Sequence, residues 1–338
     1  MKKLISLICV LAMVLALAAC GSSAPAAATE APAASTEAPT EDVSADKTFV
    51  VGICQLVQHP ALDAATQGFK DALTEALGDK VTFQEQNASG DSATCSLICN
   101  QFVSDEVDLI MANATASIQA AASATNTIPI LGTSITDYGV ALGVDNWTGV
   151  SGTNISGTSD LAPLDGQAAM IQELFPEAKT IGLLYCSGEP NSIFQADSME
   201  ALPTDMGYSV ERYTFADSND VSSVTANACS NSDVLYIPTD NTAASCTEAI
   251  NNVALSAGIP IVAGEEGIAS GCGVATLSIS YYDLGRATGE MAAEILTEGA
   301  DISTMEVRFA PAFTKEYNAD ICEALNITVP EDYVAIAK

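Results

Sequence analysis

Asp108-Leu109-Ile110 leads through Ala114-Thr115-Ala116-Ser117 to Ile128-Pro129-Ile130, and Asp233-Val234-Leu235 leads through Thr239-Asp240-Asn241-Thr242 to Ile259-Pro260-Ile261. Each stretch is an apolar run, a polar helix start, a helix-length segment and a second apolar run opening on Ile-Pro; the second connection is six residues longer. Apolar runs this continuous belong to strands covered on both faces, as in parallel sheets with helical crossovers. Two such units predict two like lobes.

Outward from these stretches the same alternation fills the chain from Lys47 onward. The first series of expected strands is Phe49–Gln55, Val81–Gln86, Asp108–Ala112, Ile128–Gly132 and Val150–Ile155. The second is Thr180–Cys186, Tyr208–Tyr213, Asp233–Pro238, Ile259–Ala263 and Val274–Ile279, with Glu306–Ala310 as a late extra strand. Between the first two strands, Leu62, Ala65, Phe69, Leu73 and Leu77 recur at helical spacing until Gly78 stops them. The fold class is α/β, with two doubly wound parallel-sheet, Rossmann-like lobes.

The 338 residues carry 43 acidic and 11 basic side chains, a formal charge of -32. Such a chain repels phosphate backbones, which excludes a nucleic-acid partner. Lys2 and Lys3 precede an apolar run from Leu4 to Leu17, the pattern of an export signal, and no later segment is apolar for long enough to span a membrane. Leu17-Ala18-Ala19-Cys20-Gly21 resembles a bacterial lipobox, so residues 1–19 are expected to be removed and Cys20 lipidated. Residues 20–46, rich in Ala, Pro, Ser, Thr and Glu, read as a disordered tether to the outer face of the cytoplasmic membrane.

In open parallel sheets, ligands bind beyond the carboxyl ends of the strands, where helix N-termini present unpaired N–H groups. The residues after those ends are Gln55 and the turn to His59-Pro60, then Asn113 and Thr115, then Ser134 and Thr136; on the second side they are Glu189, Asn191 and Ser192, then Thr239, Asp240 and Asn241, then Glu265 and Glu266. Any one of them is a good helix cap. Their recurrence at equivalent ends of both lobes is what points to a site. His59, the only imidazole, reads as a turn residue ahead of Pro60, and its solitude excludes a histidine-based catalytic pair or zinc cluster.

Several of these segments resemble the ABC transporter substrate-binding lipoproteins related to tryptophan and tyrosine binders. They are Gln55-Leu56-Val57-Gln58-His59-Pro60-Ala61-Leu62-Asp63, Gly157-Thr158-Ser159-Asp160, Glu189-Pro190-Asn191-Ser192, Pro238-Thr239-Asp240-Asn241-Thr242 and Ser280-Tyr281-Tyr282-Asp283-Leu284-Gly285-Arg286. The resemblance implies a type I periplasmic-binding-protein fold whose lobes close on a small ligand, usually an aromatic or hydrophobic amino acid. It implies crossovers near Asn154–Thr158, Ser278–Tyr281 and Ala310–Phe313, hence a first lobe of 47–156 plus about 280–311 and a second of 157–279 plus about 312–338. It also implies no enzymatic activity, no cofactor, a monomer, and an ABC permease with its ATPase as partners. The contacts it implies are Gln55, Thr115, Ser134 and Thr136 on one lobe and Glu189, Asn191, Ser192, Asp240 and Asn241 on the other; Glu265, where the chain departs from the family pattern, is a candidate from its place after a strand end. Alternatives are a sensory lipoprotein signalling to a membrane receptor, or a nucleoside or sugar receptor of the same fold.

A zwitterion needs acceptors at one end and donors at the other, because either charge is costly to bury unpaired. Asp240, helped by Glu189 or Glu265, is expected to take the ammonium. Ser134, Thr136 and Ser192, with the helix N-termini, are expected to take the carboxylate. The eight cysteines beyond Cys20 are expected to be mostly free thiols, with Cys229 and Cys246 as plausible a bridge as any. Tyr281 and Tyr282 are left between packing at a hinge and lining the cleft.

Overall fold

The computed structural model describes residues 47–310 and 312–337; the segments expected to be an export signal, a lipidated Cys20 and a tether fall outside the described residues. The first half runs β1 (Phe49–Gln55), α1 (Pro60–Leu77), β2 (Val81–Asn87), α2 (Ser92–Ser104), β3 (Leu109–Asn113), α3 (Thr115–Ala124), β4 (Ile130–Ile135), α4 (Tyr138–Leu142) and β5 (Ile155–Ser159). The second runs α5 (Leu164–Leu174), β6 (Thr180–Cys186), α6 (Pro190–Asp205), β7 (Ser209–Phe215), α7 (Val221–Asn231), β8 (Val234–Ile237), α8 (Asn241–Ser245), α9 (Thr247–Ala257), β9 (Ile261–Ala263), α10 (Glu266–Cys272) and β10 (Ala275–Ser278). The chain ends through α11 (Tyr281–Glu298), β11 (Arg308–Phe309), β12 (Thr314–Tyr317), α12 (Ala319–Ala324) and β13 (Val334–Ala335).

Two sheets result, ordered β11-β5-β4-β3-β1-β2 and β13-β12-β10-β9-β8-β6-β7. Without the late strands the two orders are the same, with the first strand of each lobe flanked by its second and third, so both lobes have a switch point where ligands gather. The chain passes between the sheets after β5, after β10 and after β11, forming hinge strands.

Each sheet is covered on both faces by separate apolar clusters, as its continuous apolar strands require. In β1, Val51 and Ile53 pack with Phe69, Leu73 and Met291, while Cys54 packs on the other side with Cys95, Cys99 and Phe102. Helices α1 and α11 approach with their backbones nearly touching. A Cβ on Gly68 would lie 2.0 Å from the Tyr282 carbonyl oxygen, and one on Gly285 would lie 2.0 Å from that of Ala65. This crossing fixes the start of α1 against the start of α11, where Ala61, Ala65, Tyr281 and Leu284 form one cluster.

Two elements depart from the sequence expectation. β5 begins at Ile155, where the expected strand ends, because Gly149 and Gly152, at φ 94° and 67°, hold the preceding segment in turns. β12 runs antiparallel to β10, so the second sheet is mixed. Its residues, Thr314-Lys315-Glu316-Tyr317, are polar and partly exposed, which hides them from a search for apolar runs. All eight described cysteines are free thiols, Cys229 and Cys246 included.

Candidate functional site

The carboxyl ends of both sheets face a common void lined by His59, Leu62, Ser134, Thr136, Asp160 and Tyr281 from one side and by Asn191, Thr239, Asp240, Asn241, Ala244 and Glu265 from the other. The void is a slot. About 280 Å³ of space lies among these side chains, counting the part continuous with solvent, yet the centre of a water molecule can occupy only about 10 Å³ of it. Two direct polar contacts cross it: His59 Nε2 lies 3.3 Å from Asn241 Oδ1, and Gln195 Nε2 donates to Thr136 Oγ1 at 3.4 Å.

Backbone strain collects at the same strand ends. Ala114, after β3, has φ 87°, and Ser134, at a bulge near the end of β4, has φ 56°. Each such non-glycine conformation costs on the order of 1–3 kcal/mol and persists only where its surroundings enforce it. The Ser134 hydroxyl is buried and has no partner, and neither has His59 Nδ1; both residues line the void.

The lining carries three fully buried carboxylates and no Lys or Arg. Glu265 caps α10, its two oxygens accepting from the N–H groups of Gly267 and Ile268, and burial still pushes its pKa up to about 7. Asp240 caps α8, accepting from the Ala243 N–H at 2.8 Å and from the Cys186 N–H at 2.6 Å; burial, and then the charge of Glu189, push its pKa up. Asp160 differs. Its oxygens accept from two side-chain hydroxyls, Tyr281 at 2.9 Å and Thr136 at 3.1 Å, and no backbone N–H other than its own approaches them; burial raises its pKa to about 6. Despite this concentration of acids, no group of three or more His, Cys, Asp or Glu among the described residues is arranged to hold a metal ion.

Of the residues expected from the sequence, Ser134, Thr136, Asn191, Asp240, Asn241 and Glu265 border the void. Four do not. Gln55 is occupied within its lobe, donating to the Val57 carbonyl and Asp63 and accepting from Thr66. Thr115 is buried in the first turn of α3. Ser192 is fully buried behind Asn191, and its hydroxyl bonds to Asp240. Glu189 is taken up by the first turn of α8: one oxygen accepts from the Thr242 N–H and hydroxyl, the other from the Asn241 N–H and side-chain amide. It faces a separate, wider cavity lined also by Leu56, Val57 and Asp217.

Asp160 and Gln195 are absent from the expected set, and His59, read as a turn residue, is both the N-cap of α1 and part of the lining. The signal for Asp160 is its position directly after β5, hidden when that strand is placed five residues too early. Gln195 lies a full turn inside α6, where reading strand ends does not reach.

Comparison with known proteins agrees with this architecture. A family model described as ABC transporter substrate binding protein matches residues 50–338. The chain is 38% identical to a tyrosine-binding protein of Clostridioides difficile over 280 residues, covering 82% of this chain and 81% of that one. It superposes on the structure of an ABC domain from Streptococcus pneumoniae in complex with L-Trp with a TM-score of 0.80, at 32% identity, covering 84% of this chain and 97% of that one. Against the ligand-free, open structure of a substrate-binding protein with adhesive properties from Clostridium difficile the identity is higher, 37%, with coverage of 86% and 99%, yet the TM-score falls to 0.66. With the family match running through both sheets and all three crossings, the chain belongs to the ABC transporter substrate-binding protein family, with the type I periplasmic-binding-protein fold.

Proposed function

We propose that the slot receives an amino acid with an aromatic side chain, and that closure around this guest is the state an ABC permease recognises. One observation carries the proposal: three buried carboxylates line the slot and no protein cation answers them. An ammonium group supplies the missing charge. The sequence assigns it to Asp240, but that side chain is committed to two backbone N–H groups that cannot turn away. Asp160 is the better acceptor, since the hydroxyls of Tyr281 and Thr136 rotate and leave room for a third donor. The Ser134 hydroxyl, without a partner in the protein, faces the guest's carboxylate.

A narrow slot between two walls suits a flat ring, which enters as the lobes part and is enclosed as they return. The tyrosine binder and the L-Trp complex among the relatives support the same class. In this proposal Asn191, Asp240, Asn241 and Glu265 shape the second wall, while Gln55, Thr115, Glu189 and Ser192 hold the elements behind the two walls. Residues 1–19 direct export, lipidated Cys20 anchors the chain outside the cytoplasmic membrane, and the monomer serves a permease and its ATPase. The lobes comprise 47–156 plus about 280–311 and 157–279 plus about 312–338. A thermal-shift panel of the twenty amino acids, nucleosides and sugars tests the ligand class. An aromatic amino acid at 100 times its Kd stabilises by about 2.7 kcal/mol. Response to sugars or nucleosides alone overturns the proposal.

A further inference from the structure

We infer that His59 is a guest-contacting residue whose ring is held in one tautomer by Glu189 acting through Asn241, leaving Nδ1 as a fixed acceptor for an N–H or O–H of the guest. The inference rests on the amino-acid reading above. The carboxylate of Glu189 accepts from the Asn241 side-chain Nδ2 at 2.7 Å and from the Asn241 backbone N–H at 3.0 Å. A carboxylate in that position requires the amide nitrogen to face it, so Asn241 Oδ1 faces the other way, 3.3 Å from His59 Nε2. An amide oxygen only accepts. Nε2 therefore carries the hydrogen, and the neutral ring keeps a bare lone pair on Nδ1.

That lone pair is buried, has no partner in the protein, and belongs to a residue of the void lining that is only 7% exposed. A buried acceptor without a donor is costly, so a guest that donates to it gains what the unliganded protein lacks. Burial also lowers the pKa of the ring, which keeps it neutral and able to accept. Because His59 opens α1 of one lobe and Asn241 opens α8 of the other, the acceptor is correctly set only when the lobes are together. Recognition and closure meet in one side chain.

His59 is the only histidine in the sequence, so the full-length protein labelled with ¹⁵N-histidine gives a single imidazole to follow by NMR. Without ligand, the expected spectrum is that of the Nε2–H tautomer with a free Nδ1, and Glu189→Gln should mix the tautomers because an amide no longer dictates how Asn241 points. A ring protonated on Nδ1 in the wild type overturns the inference. With saturating L-tyrosine the Nδ1 resonance should move as it accepts a hydrogen bond; an unmoved resonance in the liganded protein also overturns it. L-phenylalanine, which has an ammonium but no ring donor, separates the two sources: a shift with both amino acids assigns the donor to the ammonium, and a shift with L-tyrosine alone assigns it to the phenol. His59→Gln keeps a donor toward Asn241 but no Nδ1 and should weaken binding about 10- to 100-fold. His59→Asn keeps an acceptor near Nδ1 and should retain more affinity; the reverse order counts against the inference. If no amino acid binds, the amino-acid reading fails and takes with it the part of His59 in recognition, while the tautomer of the unliganded ring still tests the relay separately.

Discussion

The acids on the two sides of the slot are held in different ways. In the second lobe, Asp240 and Glu265 spend their oxygens on backbone N–H groups, at the starts of α8 and α10 and, for Asp240, at Cys186 at the end of β6, so they are part of the scaffold that keeps those elements in place. Beside the hinge, Asp160 is held by the hydroxyls of Thr136 and Tyr281 and by no backbone N–H but its own. A side chain that caps a helix holds its first turn in place whether or not a guest is present. One held by rotatable hydroxyls is buried at a cost and recovers it when a cation arrives. The contrast predicts opposite outcomes for substitutions on two walls of one slot. Asp160→Asn should lower affinity for an aromatic amino acid about 100-fold or more while raising the melting temperature of the unliganded protein at pH 7.5, because it removes a buried charge and preserves shape. Calorimetric titration and a melting curve on one preparation suffice. Unchanged affinity would return the ammonium to the second lobe.

Asp240→Ala should show the converse. Losing the α8 cap and leaving the buried Cys186 N–H without an acceptor should destabilise the unliganded protein by about 2 to 4 kcal/mol. Affinity measured below the melting transition should change less than it does in Asp160→Asn. A binding defect without a stability defect would erase the distinction between the two sides.

Titration sharpens the same comparison. The pKa of Asp160 is pushed from 3.8 to about 6 and that of Glu265 from 4.5 to about 7. Between those limits the folded state holds more protons than the unfolded state, so stability falls as pH rises. The unliganded protein should therefore be more stable near pH 5 than at pH 7.5. An ammonium favours the ionised carboxylates, so binding releases protons and affinity should rise over the same interval, by at most about tenfold per pH unit for each carboxylate involved. Calorimetry at pH 6 in two buffers of different ionisation enthalpy reads the proton release, and Asp160→Asn should reduce it. Proton uptake would mean the guest is not a cation at this end.

The fold was legible because apolar runs and helical spacing report burial directly. The run at Phe49–Gln55 and the face carrying Leu62, Ala65, Phe69 and Leu73 are where the sequence puts them, all within the core. β12 was not legible, since a short strand carrying Lys315 and Glu316 has no apolar period to find. Within the slot, strand ends led to Ser134, Thr136, Asn191, Asp240, Asn241 and Glu265 without revealing which of them were already satisfied. That depends on partners distant in sequence: Asp240 meets the Cys186 N–H across 54 positions, and Asp160 meets Tyr281 across 121. His59 looked like a turn residue because Pro60 follows it, and it is one. Its second role arises from Asn241, 182 residues away.

Gln195 gives the smallest expected effect and the most direct view of how the two sides are joined. Its amide oxygen accepts from the Thr239 hydroxyl at 2.7 Å and the Thr239 N–H at 3.2 Å, which fixes its nitrogen toward the Asn191 carbonyl and Thr136 of the other lobe. Thr136 in turn donates to Asp160, so the guest's acceptor and the lobe-to-lobe contact share one hydroxyl. A guest that draws Asp160 toward its ammonium alters the hydroxyl on which Gln195 closes. Gln195→Met keeps length and volume but removes this contact together with the bonds to Thr239 and Asn191, which costs stability in its own lobe; the interlobe bond, neutral and worth about 0.5–1.5 kcal/mol, sets the fall in affinity at about three- to tenfold. The loss should appear as faster dissociation and a larger population of separated lobes, read as an interlobe distance between spin labels in the unliganded protein. If that distance distribution is unchanged and only the association rate drops, Gln195 shapes the route into the slot, and the two lobes are joined directly through His59 and Asn241 alone.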